Sequence, residues 1–225
     1  MEIIGIVPFR GGSKGLENKN FRILNGLPLW RKAVNQAVKV CDRVIVSTDH
    51  LDKCDFDGFD TLIQDRRPDH LASDNASMAD VLMHLISRFK LDNKILVLLQ
   101  PTSPLRKICD IESAVRLFNS SDFDMVFSVV EKDNACLKYG LVKNHKFDAI
   151  NKSEHLFQNR QELPKVFGPN GAIYVFNSSI FMQQKSFPAS NIGYIEMNVD
   201  DSLDIDNYED FLLAEKYFEE RQEPY

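Results

Sequence analysis

The chain reads as an α/β protein, with a mostly parallel sheet and helices on both of its faces. Three observations predict this class. Short apolar runs alternate with amphipathic stretches through most of the 225 residues. The run Lys94–Gln100 (KILVLLQ) is apolar on both sides, as a strand buried in the middle of a parallel sheet must be. Met78, Val81, Leu82, Leu85, Ile86 and Phe89 fall on helical spacing just before it. Repeated β-α-β units of this kind put helices on both sheet faces.

Taken in order, Ile3–Pro8 is the first strand, and Pro28–Val40 is a helix whose proline suits the first turn. Arg43–Thr48 (RVIVST) is rich in β-branched residues and ends in a polar cluster, which marks a second strand. Asp60–Gln64 reads as a shorter third. The helix from Met78 is opened by Ser77, with Asp80 three residues on as its capping partner. After Lys94–Gln100, the positions Ile111, Ala114, Val115 and Phe118 mark another helix, and Asp124–Val130 another strand. From Asn134 to Gly168 the rhythm fails. YGLVKNHKFDAI reads there as a hairpin turning at Asn144 and His145, part of a small β-rich arm over 134–168. Gly171–Asn177 returns to strand character, and Tyr208–Phe218 closes the chain as a helix. No linker divides the sequence, so residues 1–225 are expected to form one domain.

Composition narrows the function. A net charge of −6 argues against nucleic acid as the partner, because nonspecific binding to it needs a cationic face. Cys41, Cys54, Cys109 and Cys136 are widely spaced and form no C-x-x-C, the pattern of reduced thiols in a cytoplasmic protein. The N-terminal apolar run is too short for a signal peptide, and no stretch has the length to cross a membrane.

In open α/β sheets, ligands sit beyond the carboxyl ends of the strands. Four polar clusters fall there. The first, Arg10–Asn20 (RGGSKGLENKN), sets Arg10, Lys14 and Lys19 among Gly11, Gly12 and Gly15. Glycine leaves backbone N–H groups open to an anion, and phosphate is the commonest such anion. The loop is neither a Walker A motif nor G-x-G-x-x-G. The second and third clusters are Ser47-Thr48-Asp49 and Gln100–Arg106 (QPTSPLR). The fourth, NVDDSLDID, has Asp204 and Asp206 two residues apart, so an extended segment points both carboxylates the same way. Such a pair suits magnesium, which fills its other positions with water and phosphate oxygens. The same acids also suit the start of the helix near Tyr208.

Together these segments resemble the CMP-sialic acid synthetase (acylneuraminate or nonulosonate cytidylyltransferase) family, over nearly the whole chain. Arg10–Asn20 is similar to the family's R-x-x-S-K-G-[LI]-x-x-K-N loop, and Leu99–Arg106 to its LQPTSPLR segment. Pro169–Tyr174 matches PNGAIY, and Asp204-Ile205-Asp206 matches its metal-binding D-x-D. The resemblance implies a Rossmann-like, nucleotide-diphospho-sugar transferase-like fold. It also implies transfer of CMP from CTP to the anomeric hydroxyl of a nine-carbon 2-keto acid sugar, with release of pyrophosphate. Catalytic roles then fall to Arg10, Lys19 and Asp206. Nucleotide contacts fall to Arg10, Gly11, Gly12, Ser13, Asn20, Arg67, Ala76 and Ser77. Gln100, Arg106, Lys138, Arg160, Asn170 and Tyr174 are expected to face the sugar, and Asp204 and Asp206 to hold Mg2+ or Mn2+. The family usually forms homodimers in which an arm of one subunit lines the other's sugar site, a role that falls here to 134–168.

One departure bears on the acceptor. Many sialic acid enzymes place arginine just before PNGAIY, whereas Phe167-Gly168 stand here. That leaves sialic, legionaminic and pseudaminic acids as candidate acceptors. The alternatives are a cytidylyltransferase for 3-deoxy-octulosonate or a sugar phosphate, and a non-catalytic nucleotide-binding relative.

Overall fold

The computed structural model describes residues 1–12, 15–60 and 62–221. Strand β1 (Ile3–Pro8) leads through a 3-10 turn at Lys19–Phe21 and a short ribbon, β2 (Ile23–Leu24) with β3 (Leu27–Pro28), into α1 (Leu29–Val40). Strands β4 (Arg43–Thr48) and β5 (Leu62–Arg66) follow, then a single helical turn, α2 (Asp69–Ala72), and α3 (Met78–Phe89). Next come β6 (Ile95–Leu98), α4 (Ile108–Ser120) and β7 (Met125–Lys132). The hairpin β8 (Gly140–Lys143) and β9 (Lys146–Ala149) precedes the long strand β10 (Val166–Asn177). The chain ends with α5 (Ser178–Gln184), β11 (Ile192–Glu196) and α6 (Tyr208–Arg221).

Seven strands form one sheet in the order β11-β7-β10-β6-β1-β4-β5. The neighbours β1–β4, β1–β6, β4–β5 and β7–β11 pair in parallel, while β10 runs antiparallel to both β6 and β7. The expected mostly parallel sheet is present, with one reversed strand inside it. Its cause is the connection. Parallel neighbours need a crossover, usually a helix, and the chain between β7 and β10 instead forms the arm and re-enters the sheet at the end of β7 where it left. The arm is also shorter than its expected span, because β10 begins at Val166 and pairs with the extended end of β7 up to Lys132.

Helices cover both faces, as the sequence predicts. Trp30, Ala33, Val34 and Ala37 of α1 pack with Ile111, Ala114, Val115 and Phe118 of α4 over one face. Val81, Leu82, Leu85 and Ile86 of α3 join Phe181 of α5 on the other. A third cluster beneath α6 gathers Leu16, Leu105 and Ile205 from three separate loops against Phe211, Ala214 and Phe218.

Two local predictions hold in detail. Ser77 Oγ accepts the Asp80 N–H at 3.1 Å while Asp80 Oδ2 accepts the Ser77 N–H at 3.0 Å, so a full capping box opens α3. Asn144 and His145 have φ of 49° and 60°, the two left-handed residues that a tight hairpin with native twist requires. The short helix α5 and edge strand β11 are elements that the sequence reading did not assign.

Gly193 in β11 shows how tightly that edge is packed, since a Cβ there would sit 2.4 Å from the Phe123 ring. Gly193→Ala is therefore expected to destabilise the fold by about 1–3 kcal/mol, the usual cost of overpacking. Urea denaturation followed by circular dichroism checks this.

Candidate functional site

The carboxyl ends of β1, β5 and β6 open onto a cleft of about 370 Å³. Its lining includes Arg10, Lys19, Asn20, Arg67, Ala76, Ser77, Gln100 and Asp206, drawn from six segments of the chain. Of the expected nucleotide contacts, Arg10, Asn20, Arg67, Ala76 and Ser77 thus line one cavity, whereas Gly11 and Gly12 are not part of its lining. Ser13 lies outside the described residues.

The first loop is held from beneath. Asp49, at the end of β4, accepts the Gly11 N–H at 2.9 Å, and its carboxylate also lies 3.0 Å from His50. The Gly11 N–H and the His50 side chain hold the Asp49 carboxyl below its usual range, against a burial effect that pushes it up. A Cβ at Gly11 would fall 2.5 Å from the His50 ring, so only glycine lets the loop lie this close. Asn20, buried at the base of the loop, donates from Nδ2 to the Arg10 carbonyl at 3.0 Å, while its Oδ1 has no hydrogen-bond partner among the described residues. A buried acceptor left open on a cleft wall is suited to a ligand hydroxyl or amine.

The loop also touches the C-terminal acidic segment. Lys19 Nζ donates to the Ile205 carbonyl at 2.5 Å and lies 3.3 Å from Asp206 Oδ1. A Cβ on Gly15 would sit 2.3 Å from the Asp206 carbonyl oxygen. The Ile205 N–H in turn donates to the Thr102 carbonyl at 2.8 Å, which fastens the QPTSPLR loop to the same corner.

Across the cleft, Arg10 Nη1 pairs with Asp74 Oδ1 at 2.7 Å, a contact with no local signal in the sequence. Arg67 is buried and donates from Nη2 to the Ser47 carbonyl at 2.8 Å and from Nε to Ser47 Oγ at 3.3 Å. Ser47 Oγ donates in turn to buried Asp65 Oδ2 at 2.7 Å. Burial lowers the Arg67 pKa to about 10, and nearby Asp49 and Asp65 act in the other direction. This Ser47–Asp65–Arg67 network was invisible in sequence, because Asp65 sits mid-strand, away from any motif.

Asp204 stands beside the cleft. Burial raises its carboxyl pKa, with the charges of Asp206 and Asp210 adding and the Thr102 side chain and Lys19 opposing. A buried carboxylate whose charge is disfavoured is one that a cation relieves, and on that ground Asp204, with Asp206 beside it, fits a divalent ion. Among the described residues no three carboxylate, histidine or cysteine side chains converge. A cation here would therefore complete its shell with ligand and water oxygens.

The expected sugar contacts separate into three groups. Gln100 lines the cleft, and its Nε2 donates to the Gly171 carbonyl at 3.3 Å. Tyr174 is half-buried, packed on Phe127 and Phe187, with burial and Asp204 raising its pKa. Asn170 is buried and committed, accepting from Ser128 Oγ and the Ala172 N–H and donating to Ser202 Oγ, so it holds the bulge in β10. Lys138 and Arg160 lie on the arm, away from this chain's cleft: Lys138 donates to the Gln158 carbonyl, and Arg160 sits 3.6 Å from Asp133. Arg106 is a correction. Only 2% exposed, it donates to the Ala172 carbonyl at 2.6 Å and to Gln36 Oε1 at 2.9 Å, behind the cleft wall rather than in it.

Comparison with known proteins places this arrangement. A family model described as cytidylyltransferase matches residues 4–224. An N-acylneuraminate cytidylyltransferase of Streptococcus agalactiae serotype III is 34% identical over 221 residues, covering 94% of this chain and 52% of that protein. The chain thus spans about half the length of that relative. A CMP-N,N'-diacetyllegionaminic acid synthase of Legionella pneumophila is 30% identical over 234 residues, covering 99% of each chain. A solved CMP:2-keto-3-deoxy-manno-octonic acid synthetase complexed with CTP has the same fold. Its TM-score is 0.73 at 16% identity, covering 98% of this chain and 100% of that one.

The raised Asp204 pKa makes a pH prediction for the free protein. The folded state holds this proton more tightly than the unfolded chain, so ionising Asp204 costs stability as pH rises through the carboxylate range. Asp204→Asn should therefore raise the melting temperature at neutral pH. The gain should fade as pH falls below the carboxylate range, where both forms are neutral. Thermal scans of the two proteins across that range check it.

Proposed function

The chain belongs to the cytidylyltransferase family, and from that premise we propose that it transfers CMP from CTP to a nine-carbon 2-keto acid sugar, releasing pyrophosphate. The observation that carries the reading is one cleft where a glycine loop, two cations and the acidic D-x-D segment meet. The anomeric hydroxyl of the sugar attacks the α-phosphorus. A new P–O bond forms, the bond to pyrophosphate breaks, and the hydroxyl proton leaves with solvent or a phosphate oxygen. Negative charge grows on the leaving pyrophosphate, so positioning and electrostatic stabilisation carry most of the rate.

Each cleft residue then has work suited to its chemistry. Arg10 and Lys19 brace the triphosphate, exchanging their present partners Asp74 and Asp206 for phosphate oxygens. Gly11 and Gly12 bring backbone close to it. Asn20 Oδ1, Arg67, Ala76 and Ser77 surround the nucleoside end of the cleft. Asp204 and Asp206 would hold Mg2+ or Mn2+, which when bound neutralises phosphate charge. Gln100 and Tyr174 face the acceptor side.

The arm supports assembly as a homodimer. Leu141, Val142, Phe147, Ile150 and Phe157 are all exposed on it, an apolar surface too large to be left in water without purpose. In this arrangement Lys138 and Arg160 reach the partner's acceptor site, where a guanidinium grips the sugar carboxylate through two hydrogen bonds. Among the described residues no helix is long and apolar enough to cross a membrane.

The deciding experiment is pyrophosphate release with magnesium and CTP against N-acetylneuraminate, legionaminic acid, pseudaminic acid and 3-deoxy-octulosonate. Turnover is expected with a nine-carbon acid, and turnover with 3-deoxy-octulosonate alone would replace the acceptor assignment. Asp206→Ala should reduce kcat by at least about a hundredfold while the protein stays folded. Arg160→Ala should raise KM for the sugar about tenfold or more and leave KM for CTP nearly unchanged, the mark of a lost charge-assisted contact.

A further inference from the structure

Asp65 is a fully buried carboxylate on β5, and it does not line the cleft. Its cross-strand neighbour is Ser47 on β4, just as Ile63 faces Ile45 two residues earlier. Ile45 and Ile63 pack in the apolar cluster beneath α3. An apolar side chain at position 65 would continue that interface. A buried ion pair commonly stabilises a fold no better than apolar residues of its size, so a carboxylate here calls for another reason. Its contacts supply one. Asp65 Oδ2 accepts from Ser47 Oγ at 2.7 Å. Oδ1 has Arg88 Nη1 at 3.1 Å and His84 Nε2 at 3.5 Å, both on α3, as neighbouring groups and not as aligned hydrogen bonds. The aligned bond of this carboxylate therefore runs to Ser47.

A serine hydroxyl has one proton and two lone pairs. With the proton committed to Asp65, the lone pairs are turned to Arg67, whose Nε lies 3.3 Å from Ser47 Oγ. Arg67 Nη2 takes the Ser47 carbonyl at 2.8 Å, and the Arg67 N–H takes the Thr48 carbonyl at 2.9 Å. Arg67 itself lines the cleft. We propose that Asp65 is a positioning residue for the nucleotide: by fixing the Ser47 hydroxyl, it sets the angle at which the Arg67 guanidinium is presented to the ligand. The inference rests on the cytidylyltransferase reading of the cleft and deepens it. Nε and Nη2 are committed to Ser47, which leaves Nη1 as the nitrogen for a ligand oxygen. A guanidinium already held in one orientation loses little further freedom on binding. Without Asp65 the Ser47 hydroxyl is free to rotate and give its proton elsewhere, and Arg67 loses an oriented acceptor. Asp49 and Asp65 also favour the charged form of Arg67 against the effect of its burial.

The test is a double-mutant cycle read by calorimetric titration of CTP in magnesium, with the parent, Asp65→Ala, Arg67→Gln and the double variant. Asp65→Ala should weaken CTP about tenfold, and Arg67→Gln at least as much, as loss of a charge-assisted contact does. The double variant should bind within about twofold of Arg67→Gln alone, because Asp65 acts only through Arg67. A merely structural role predicts instead that the two losses multiply. Ser47→Ala breaks the same link while leaving Asp65 with α3. It should reproduce the loss, and it serves in place of Asp65→Ala if that variant does not fold. Arg88→Gln removes the neighbour on α3 but not the Ser47 link, and should leave CTP affinity within about threefold of the parent's. In turnover, Ser47→Ala should raise KM for CTP and leave KM for the acceptor unchanged. The proposal is overturned by losses that multiply, by unweakened CTP binding in Ser47→Ala, or by a loss in Arg88→Gln as large as that in Ser47→Ala. A parent protein that binds no CTP would overturn the nucleotide reading itself, and this inference with it.

Discussion

The site depends on one close approach: the backbone at Gly15 lies against the carbonyl of Asp206. This contact closes the first loop of the chain onto a segment almost two hundred residues later. Lys19 reinforces it by donating to the Ile205 carbonyl, and the Ile205 N–H ties the same corner to Thr102. Below these polar links each of the three loops sends down one apolar side chain, Leu16, Leu105 and Ile205, into the cluster covered by α6. Burying a side chain of this size contributes about 1.5–3 kcal/mol. The motifs therefore alternate two jobs, with polar residues facing the ligand and an apolar neighbour anchoring the loop.

The electrostatic state of the cleft follows from this frame. Arg10 and Lys19 rest on Asp74 and Asp206, in pairs that are partly open to water. Such pairs contribute little to stability, so exchanging them for phosphate oxygens costs little. Arg67 differs: Ser47 and Asp65 fix it in place, and it enters the cleft as a permanent charge. Two cations on partly exposed carboxylates and one fixed cation in a single cleft suit a polyanion inside an acidic protein.

Much of this was readable in the sequence because its signals are local. The capping box at Ser77 and the Asn144-His145 turn are set by neighbouring residues. The rule that ligands gather at strand carboxyl ends picks out the Arg10–Asn20 and Gln100–Arg106 loops, which the fold brings to one cleft. What was hidden depends on distant partners. Nothing in GAIYVFN separates a parallel from an antiparallel strand, since both are buried on two faces; the reversal of β10 is set by the arm that replaces a crossover helix. Arg106 leaves a strand-end loop exactly as a ligand contact would. Only the burial of Leu105 beside it and the acceptors offered by Gln36 and Ala172 turn it away from the cleft. Asp74 and Asp65 lie in no motif, and their roles arise only once the loops are folded together.

The Gly15–Asp206 contact holds the proposed triphosphate site together, and the measurement to make is calorimetric titration of CTP in magnesium into Gly15→Ala protein. A Cβ cannot be accommodated 2.3 Å from a backbone oxygen, so the loop must move away from the acidic segment. The account predicts CTP affinity weakened by about tenfold or more, in a protein whose melting temperature stays within a few degrees of the parent's. CTP binding as tight as in the unaltered chain would contradict it.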